Sequence, residues 1–232
     1  MAARIVVVIP TLNEEQSIAE VVRGIPRPPV GRVIVADGGS RDATTARATE
    51  AGADVVDVGR GYGRACLTAA ATADDADILV FMDGDGADDA GAISRLIAPI
   101  EAGDYDFVIG SRARGRREPG SLAWHQLAAG YLAGAAMGII YGVHYTDMCA
   151  FRAIRRDRLL GLGMREQTYG WNIEMQMRAA SAGLRILEIP VDYRCRRGGS
   201  SKVAGSLAGT LRAGTRIIVT FVRLLLAGRR PA

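Results

Sequence analysis

The stretch Ile78-Leu79-Val80-Phe81-Met82-Asp83-Gly84-Asp85-Gly86-Ala87-Asp88-Asp89 decides the fold. Five successive apolar residues run straight into a loop with four carboxylates. A strand that is apolar at every position is buried on both faces, which is the environment of a parallel sheet covered by helices. Working outward, Ile5–Ile9, Arg32–Ala36, Ala53–Val58 and Phe107–Ile109 read as strands of the same kind. Glu14–Arg23, Ala43–Ala51, Arg64–Ala73 and Ala90–Ile100 read as the helices between them. Strands alternating with helices predict an α/β fold with a mostly parallel central sheet and helices on both faces.

In such sheets ligands bind beyond the carboxyl ends of the strands. The segments following the strands are Pro10-Thr11-Leu12-Asn13-Glu14-Glu15, Asp37-Gly38-Gly39-Ser40-Arg41-Asp42, the Asp83–Asp89 loop, and Gly110-Ser111-Arg112. Four polar, Gly-rich or acidic loops at one sheet edge make a site. Asp83 and Asp85, one residue apart after a buried strand, can converge on one hard cation, Mg2+ or Mn2+, which takes oxygen ligands and bridges to substrate phosphates. An EF-hand calcium loop is excluded: its fifth, sixth and twelfth positions would be Ala87, Asp88 and Ser94, where Asp or Asn, Gly and Glu are needed. Gly59-Arg60-Gly61-Tyr62-Gly63-Arg64 fails the dinucleotide fingerprint, because Arg64 stands where the last Gly belongs.

Charge divides the chain. Residues 1–110 hold 9 arginines against 18 acidic residues (−9), and residues 111–232 hold 20 basic against 7 acidic residues (+13). The acidic half suits a metal, and the basic half suits phosphate, nucleic acid or an anionic membrane. Three well-separated cysteines without a CxxC pair point to a reducing compartment. The short apolar run after Arg4 has no cleavage site behind it, so we expect no signal peptide.

Beyond residue 110, Leu127–Val143 is 17 residues without a charge but with four glycines, and reads as a buried or interfacial helical hairpin. Thr168–Ala182 reads as a helix, Arg185–Ile189 as a strand and Val203–Leu226 as a final helix. On that last helix Arg212, Arg216, Arg223 and Arg230 share one face, with Ile217, Val219, Phe221, Leu224, Leu225 and Leu226 largely opposite. This predicts a C-terminal amphipathic helix that either docks on a membrane surface or packs on the core with a solvated basic face. Trp171 and Tyr169 could stack on a sugar or pack in the core.

The ordered motifs resemble family 2 glycosyltransferases of the GT-A fold, and within them the dolichol- and polyprenyl-phosphate sugar transferases. The resemblance rests on Val8–Glu14, Asp37–Ser40, the Asp83/Asp85 pair, Gly110–Arg112, Thr146-Asp147 with Phe151-Arg152, Glu174, and Glu188–Pro190 through Arg196, Gly199, Ser201 and Lys202. It implies a nucleotide-sugar donor (UDP- or GDP-) held by Pro10, Leu12, Asn13, Glu14, Asp37, Gly38, Gly39, Asp83 and Gly84. It implies one Mg2+ or Mn2+ on Asp83 and Asp85. Arg112, Arg196, Ser201 and Lys202 would grip acceptor or donor phosphates, with His125 replacing an arginine that such enzymes place in the following helix. An anionic phosphate acceptor needs no strong base; a hydroxyl acceptor would need one, for which Asp147 or Glu174 is available beside Asp85. The chain departs at Ala87, where the lipid-phosphate enzymes often have Gln.

These readings imply a GT-A domain over 1–202 (1–110 for the nucleotide sugar, 111–202 for the acceptor) and a helical tail over 203–232. The expected activity is inverting sugar transfer to a polyprenyl or dolichyl phosphate at the cytoplasmic membrane face. The alternatives are a soluble hydroxyl acceptor, or a non-catalytic basic module binding RNA or membrane. Sparse aromatics and the absence of an RNA-binding motif weigh against nucleic acid.

Overall fold

The computed structural model describes residues 3–198 and 207–227. Ser201 and Lys202 lie outside the described residues, as do Gly199 and Arg230.

Seven strands form one sheet: β1 (Ile5–Thr11), β2 (Val30–Asp37), β3 (Asp54–Asp57), β4 (Ile78–Phe81), β5 (Phe107–Ser111), β6 (Arg152–Arg155) and β7 (Ile186–Pro190). Their spatial order is β3-β2-β1-β4-β6-β5-β7. Among the described strands only β6 runs antiparallel, wedged between β4 and β5. The five strands read from the first half of the sequence are all present. Strand β1 continues two residues past the expected Ile9, through Pro10 and Thr11, which pair with Ala36 and Asp37 of β2.

Strand β6 was not legible. Its four residues begin and end with arginine, so no apolar or alternating pattern announces it. Arg152 is nonetheless fully buried: its Nε donates to the Cys149 carbonyl at 3.0 Å, its Nη1 donates to the Asn172 carbonyl at 3.2 Å, and its guanidinium lies over the Phe107 ring. Burial pulls this guanidinium's pKa down from its ordinary value.

The sheet is covered by helices. The order continues with α1 (Ile18–Gly24), α2 (Thr44–Glu50), α3 (Tyr62–Thr72), α4 (Ile93–Glu101), α5 (Trp124–Tyr141), α6 (Arg156–Gly161), α7 (Trp171–Ser181) and α8 (Leu207–Ala227). The core is the buried apolar residues of β1, β2, β4 and β5 with Ile18, Val22, Leu96, Ile100 and Trp171 packed on them. Trp171 is buried edge-to-face on Phe81, directly beneath the strand that carries Asp83. Of its two sequence readings, core packing therefore holds.

The uncharged stretch 127–143 is one helix, α5, rather than a hairpin. Its glycines recur every four residues and form one stripe. Segment 144–147 lies against that stripe so closely that a Cβ at Gly134 would strike the Tyr145 carbonyl. Close backbone packing thus offsets the helix-weakening tendency of glycine, about 1 kcal/mol per residue, and fixes the stretch that carries Asp147.

The two ends of β5 and β7 are tied by Asp106. It accepts from the backbone N–H, Nε and Nη2 of Arg185 at 3.0–3.1 Å, with Arg155 and Arg158 nearby. Arg185's hydrogen bonds hold this buried carboxyl down to about 2. A depressed folded-state pKa stabilises the fold above the unfolded value near 4, and that stabilisation is lost as pH falls toward 2. Asp106→Asn should therefore cost about 2 kcal/mol at neutral pH. Urea unfolding at pH 7 and at successively lower pH checks this: the gap between wild type and variant should close as pH falls from 4 toward 2.

Candidate active site

The loops after β1 and β2 are sewn together before any ligand is considered. Asn13 adopts a positive φ of 51°, a conformation asparagine tolerates better than most side chains. In that turn its N–H donates to Ser40 Oγ at 2.8 Å, and its Oδ1 accepts the Arg41 N–H at 2.8 Å. Asp37 is buried. Its Oδ2 takes the N–H groups of Gly39 and Ser40 at 3.0 and 2.8 Å, and its Oδ1 accepts from Ser40 Oγ at 2.5 Å. Asp42 Oδ1 accepts the Thr44 N–H at the start of α2 at 3.0 Å. Pro10, Leu12, Asn13, Glu14, Asp37, Gly38 and Gly39 thus share one corner at the carboxyl ends of β1 and β2, and Gly38 donates its N–H to the Thr11 carbonyl.

The third loop packs against this corner through Gly84. A Cβ there would sit 2.8 Å from Thr11 Cγ2 and 3.2 Å from Ile9 Cγ2, so only glycine lets the loop pass. Ser17 Oγ donates to the Gly84 carbonyl at 2.8 Å. The aspartates flanking Gly84 therefore emerge beside the corner formed by the first two loops.

Three carboxylates crowd this strand end. Asp88 is buried and its Oδ2 accepts the Asp83 N–H at 3.0 Å; Asp85 Oδ1 accepts the Ala87 N–H at 3.0 Å. Burial, and then the charges of Asp88 and Asp85, push the Asp83 carboxyl well above the ordinary carboxylate range. Burial and the charge of Asp85 push Asp88 up to about 7, against the opposing hydrogen bond from Asp83. Desolvated negative charge without an equal positive partner is the chemistry that a divalent cation relieves. Among the described residues no three His, Cys, Asp or Glu side chains converge as a ready-made metal cage. The donor set fits a cation that takes two carboxylates from the protein and its remaining oxygens from phosphate and water, which is how Mg2+ commonly binds.

The basic half closes over this acidic loop. Segment 192–198 crosses it, with the Arg194 N–H donating to the Ala87 carbonyl at 2.9 Å and the Arg197 N–H to the Asp85 carbonyl at 3.0 Å. Arg196 Nη2 reaches Glu14 Oε1 at 2.9 Å and Asp85 Oδ2 at 3.4 Å. Tyr193 lies over the Arg112 guanidinium, 5.0 Å from ring centre to Cζ. Burial and the nearby charge of Asp88 raise the Tyr193 phenol's pKa, so it stays protonated. Tyr193 carried no signal in the sequence reading.

Both carboxylates considered as general bases are occupied. Asp147 holds Arg112 in a two-pronged pair, Nε and Nη2 each donating at 2.8 Å, and also accepts the N–H groups of Arg112 and Met148. Burial alone would raise the Asp147 carboxyl, but the hydrogen bonds and charge of Arg112 overcome it and hold its pKa below the ordinary value. Glu174 is wholly buried, accepting the N–H groups of Arg165 and Glu166 at 3.0 and 2.6 Å and pairing with Arg178 at 2.9 Å. A carboxylate spent on its own backbone, out of reach of solvent, is not placed to take a proton from an acceptor. Glu188 does work that the sequence did not assign to it. It accepts the N–H groups of Thr146 and Asp147 at 2.8 and 3.2 Å, and so orients the residue that orients Arg112. An acidic residue inside an apolar strand was the available signal. His125 is exposed in the first turn of α5, its ring edge-on to Trp124.

The corner beside β1 and β2, the acidic strand end and the overlying basic segment stand together at one edge of the sheet. The sequence model of the family described as Glycosyl transferase family 2 matches residues 6–161, about two thirds of the chain. The chain belongs to that family. An uncharacterized glycosyltransferase of Mycobacterium tuberculosis is 37% identical over 213 residues, covering 90% of this chain and 94% of that protein. Polyprenol monophosphomannose synthase of Mycolicibacterium smegmatis is 31% identical over 218 residues, covering 88% and 82%. In three dimensions the chain superposes on glucosyl-3-phosphoglycerate synthase from Mycobacterium tuberculosis, solved with Mn2+, UDP-glucose and phosphoglyceric acid. The TM-score is 0.77 at 25% identity, covering 99% of this chain and 81% of that one. The protein is therefore a family 2 glycosyltransferase with a GT-A fold, and structural neighbours of this fold bind Mn2+ together with nucleotide sugars.

Gly84→Ala tests the geometry of the loop directly. The added methyl should force Asp83 and Asp85 outward, costing about 1–3 kcal/mol by overpacking, and should weaken UDP or GDP binding measured by calorimetry more than Gly24→Ala does, where an added Cβ meets nothing within 4 Å.

Proposed function

We propose that this glycosyltransferase moves a sugar from UDP- or GDP-sugar onto a polyprenyl phosphate at a membrane surface, with inversion. The observation that carries this reading is the occupation of both candidate bases: Asp147 is committed to Arg112, and Glu174 is sealed inside. A phosphate acceptor is already an anionic nucleophile. Its oxygen forms the new bond to the anomeric carbon as the bond to the diphosphate breaks, the nucleoside diphosphate leaves with the electron pair, and no proton has to move. A divalent cation on Asp83 and Asp85 would supply positive charge for that leaving group.

The chain's own residues would then divide the work. The corner formed by Pro10, Leu12, Asn13, Glu14, Asp37, Gly38 and Gly39 holds the nucleoside. Asp147 spends two donors of Arg112 and leaves Nη1 for the acceptor phosphate, in a guanidinium whose orientation is fixed before binding. Tyr193 fills the space over Arg112 and keeps water from that side.

Support for a lipid acceptor comes from the surface. Helix α5 turns Trp124, Tyr131, Leu132 and Ile139 outward, with Ile139 87% exposed. Helix α8 exposes Leu211, Ile218, Val219, Val222 and Leu226. Arg216 and Arg223 of α8 are not simply solvated, since both reach the buried carboxylate of Glu166 at 3.0 and 3.5 Å. Ile217, Phe221 and Leu224 pack on the core, leaving the other apolar residues for a membrane interface. No helix among the described residues is long and apolar enough to cross a membrane, so attachment would be by docking. The relative named for polyprenol phosphate supports the same acceptor. The phosphoglyceric acid in the structural neighbour favours a second reading, a small soluble acceptor bearing phosphate.

Incubating the protein with Mn2+ and radiolabelled UDP-glucose, GDP-mannose or UDP-N-acetylglucosamine, with either undecaprenyl phosphate or 3-phosphoglycerate, separates the two. Label partitioning into butanol supports the lipid; label confined to water with 3-phosphoglycerate supports the soluble acceptor and sinks the lipid reading. For the surface, Leu132→Asp/Ile139→Asp and Leu211→Asp/Ile218→Asp should each lower flotation with anionic vesicles several-fold, at about 0.8 kcal/mol per buried methylene lost, while UDP or GDP binding stays intact. Unchanged flotation would remove the docking faces from the account.

A further inference from the structure

Arg196 touches both halves of the donor site at once. Its Nη2 lies 2.9 Å from Glu14 Oε1, in the nucleoside corner, and 3.4 Å from Asp85 Oδ2, at the acidic strand end. Its side chain is mostly buried, and its Nε is buried with no hydrogen-bond partner among the described residues. The backbone on either side is pinned to the same acidic loop, through Arg194 to Ala87 and Arg197 to Asp85. The guanidinium can therefore change partners by rotating its side chain while the segment stays in place.

Two positive charges cannot share one carboxylate oxygen cheaply. A guanidinium on Asp85 Oδ2 and a divalent cation on the same carboxylate are competitors. The diphosphate of a donor changes that balance, because it brings several anionic oxygens that accept a planar, two-pronged donor. Nε and Nη2 are adjacent donors of the kind that pair with one phosphate, and Nε is unspent.

We infer that Arg196 is an exchangeable internal cation: it neutralises Asp85 and Glu14, opposes binding of a metal ion alone, and transfers to the donor diphosphate when metal and nucleotide arrive together. This inference rests on the reading of Asp85 as a cation ligand. Its consequence is coupled binding, in which metal without nucleotide is held weakly and nucleotide with metal is held well. Arg196 is thereby a positioning residue for the diphosphate as well as a gate on the metal.

The test measures Mn2+ binding without any nucleotide, by the electron paramagnetic resonance signal of free Mn2+, and then UDP and GDP binding at saturating Mn2+ by calorimetry. Arg196→Met keeps the length and removes the charge. It should bind Mn2+ alone about fivefold more tightly than wild type, the upper size of a partly screened ion-pair contact, and bind UDP or GDP more weakly. Arg196→Lys keeps a competing charge but loses the two-pronged donor. It should bind Mn2+ like wild type and also lose nucleotide affinity, so a general folding defect cannot mimic the pair of results. Equal or weaker Mn2+ binding by Arg196→Met overturns the inference. Asp85→Asn in the wild-type and Arg196→Met backgrounds should abolish Mn2+ binding. If it does so while Arg196→Met leaves Mn2+ binding unchanged, only the exchange role falls. If Asp85→Asn binds Mn2+ like its parent, the cation reading of Asp85 falls and the exchange role with it.

Discussion

Carboxylates crowded at a largely buried strand end are the constraint around which this molecule is arranged. Asp83, Asp85 and Asp88 stand at the end of β4, a strand buried on every residue, and no positive side chain within their own loop offsets their repulsion. The surrounding structure supplies what offsets it: backbone N–H groups from within the loop, the guanidinium of Arg196 from a segment more than a hundred residues later, and the nearby charge of Arg112. A cation with a diphosphate would complete the neutralisation. The acidic first half and basic second half of the sequence are this same balance written as composition.

Arg112 shows how the second half is built to serve that end. Its two-pronged pair with Asp147 fixes the guanidinium plane; Glu188 fixes Asp147 by holding its N–H; the glycine stripe of α5 lets segment 144–147 lie close enough for all of this to happen. Each contact is short-range and local, yet the chain of them reaches from the outer, apolar face of α5 to the acidic loop. In the proposed reaction an acceptor arriving along that face would meet a charge already oriented, and orientation made in advance lowers the cost of a reaction.

The parallel half of the fold was legible because buried strands announce themselves as unbroken Val and Ile runs, and because ligand loops at their carboxyl ends can be read off by position. The Asp83-Gly84-Asp85 loop and the Asn13 and Asp37 corners were placed by that logic alone. What the sequence hid depends on distant pairing. Strand β6 is four residues with an arginine at each end, and only its neighbours make it a strand. Leu127–Val143 suggested a hairpin because its glycines weaken a helix in isolation, whereas their regular spacing is what allows one helix to seat another segment. Asp147 and Glu174 looked like available bases, since a one-dimensional reading cannot see that Arg112 and two backbone N–H groups already claim them. Tyr193 had no pattern of its own and is defined entirely by the guanidinium beneath it.

In the proposed reaction two aspartate side chains, Asp83 and Asp85, meet one cation next to a sugar diphosphate. Crystals grown with Mn2+ and UDP or GDP, measured at the manganese absorption edge, test it most directly. The account predicts an anomalous peak within coordination distance of Asp83 or Asp85 and of the diphosphate oxygens. A diphosphate bound at the sheet edge with its Mn2+ peak away from both carboxylates would contradict it.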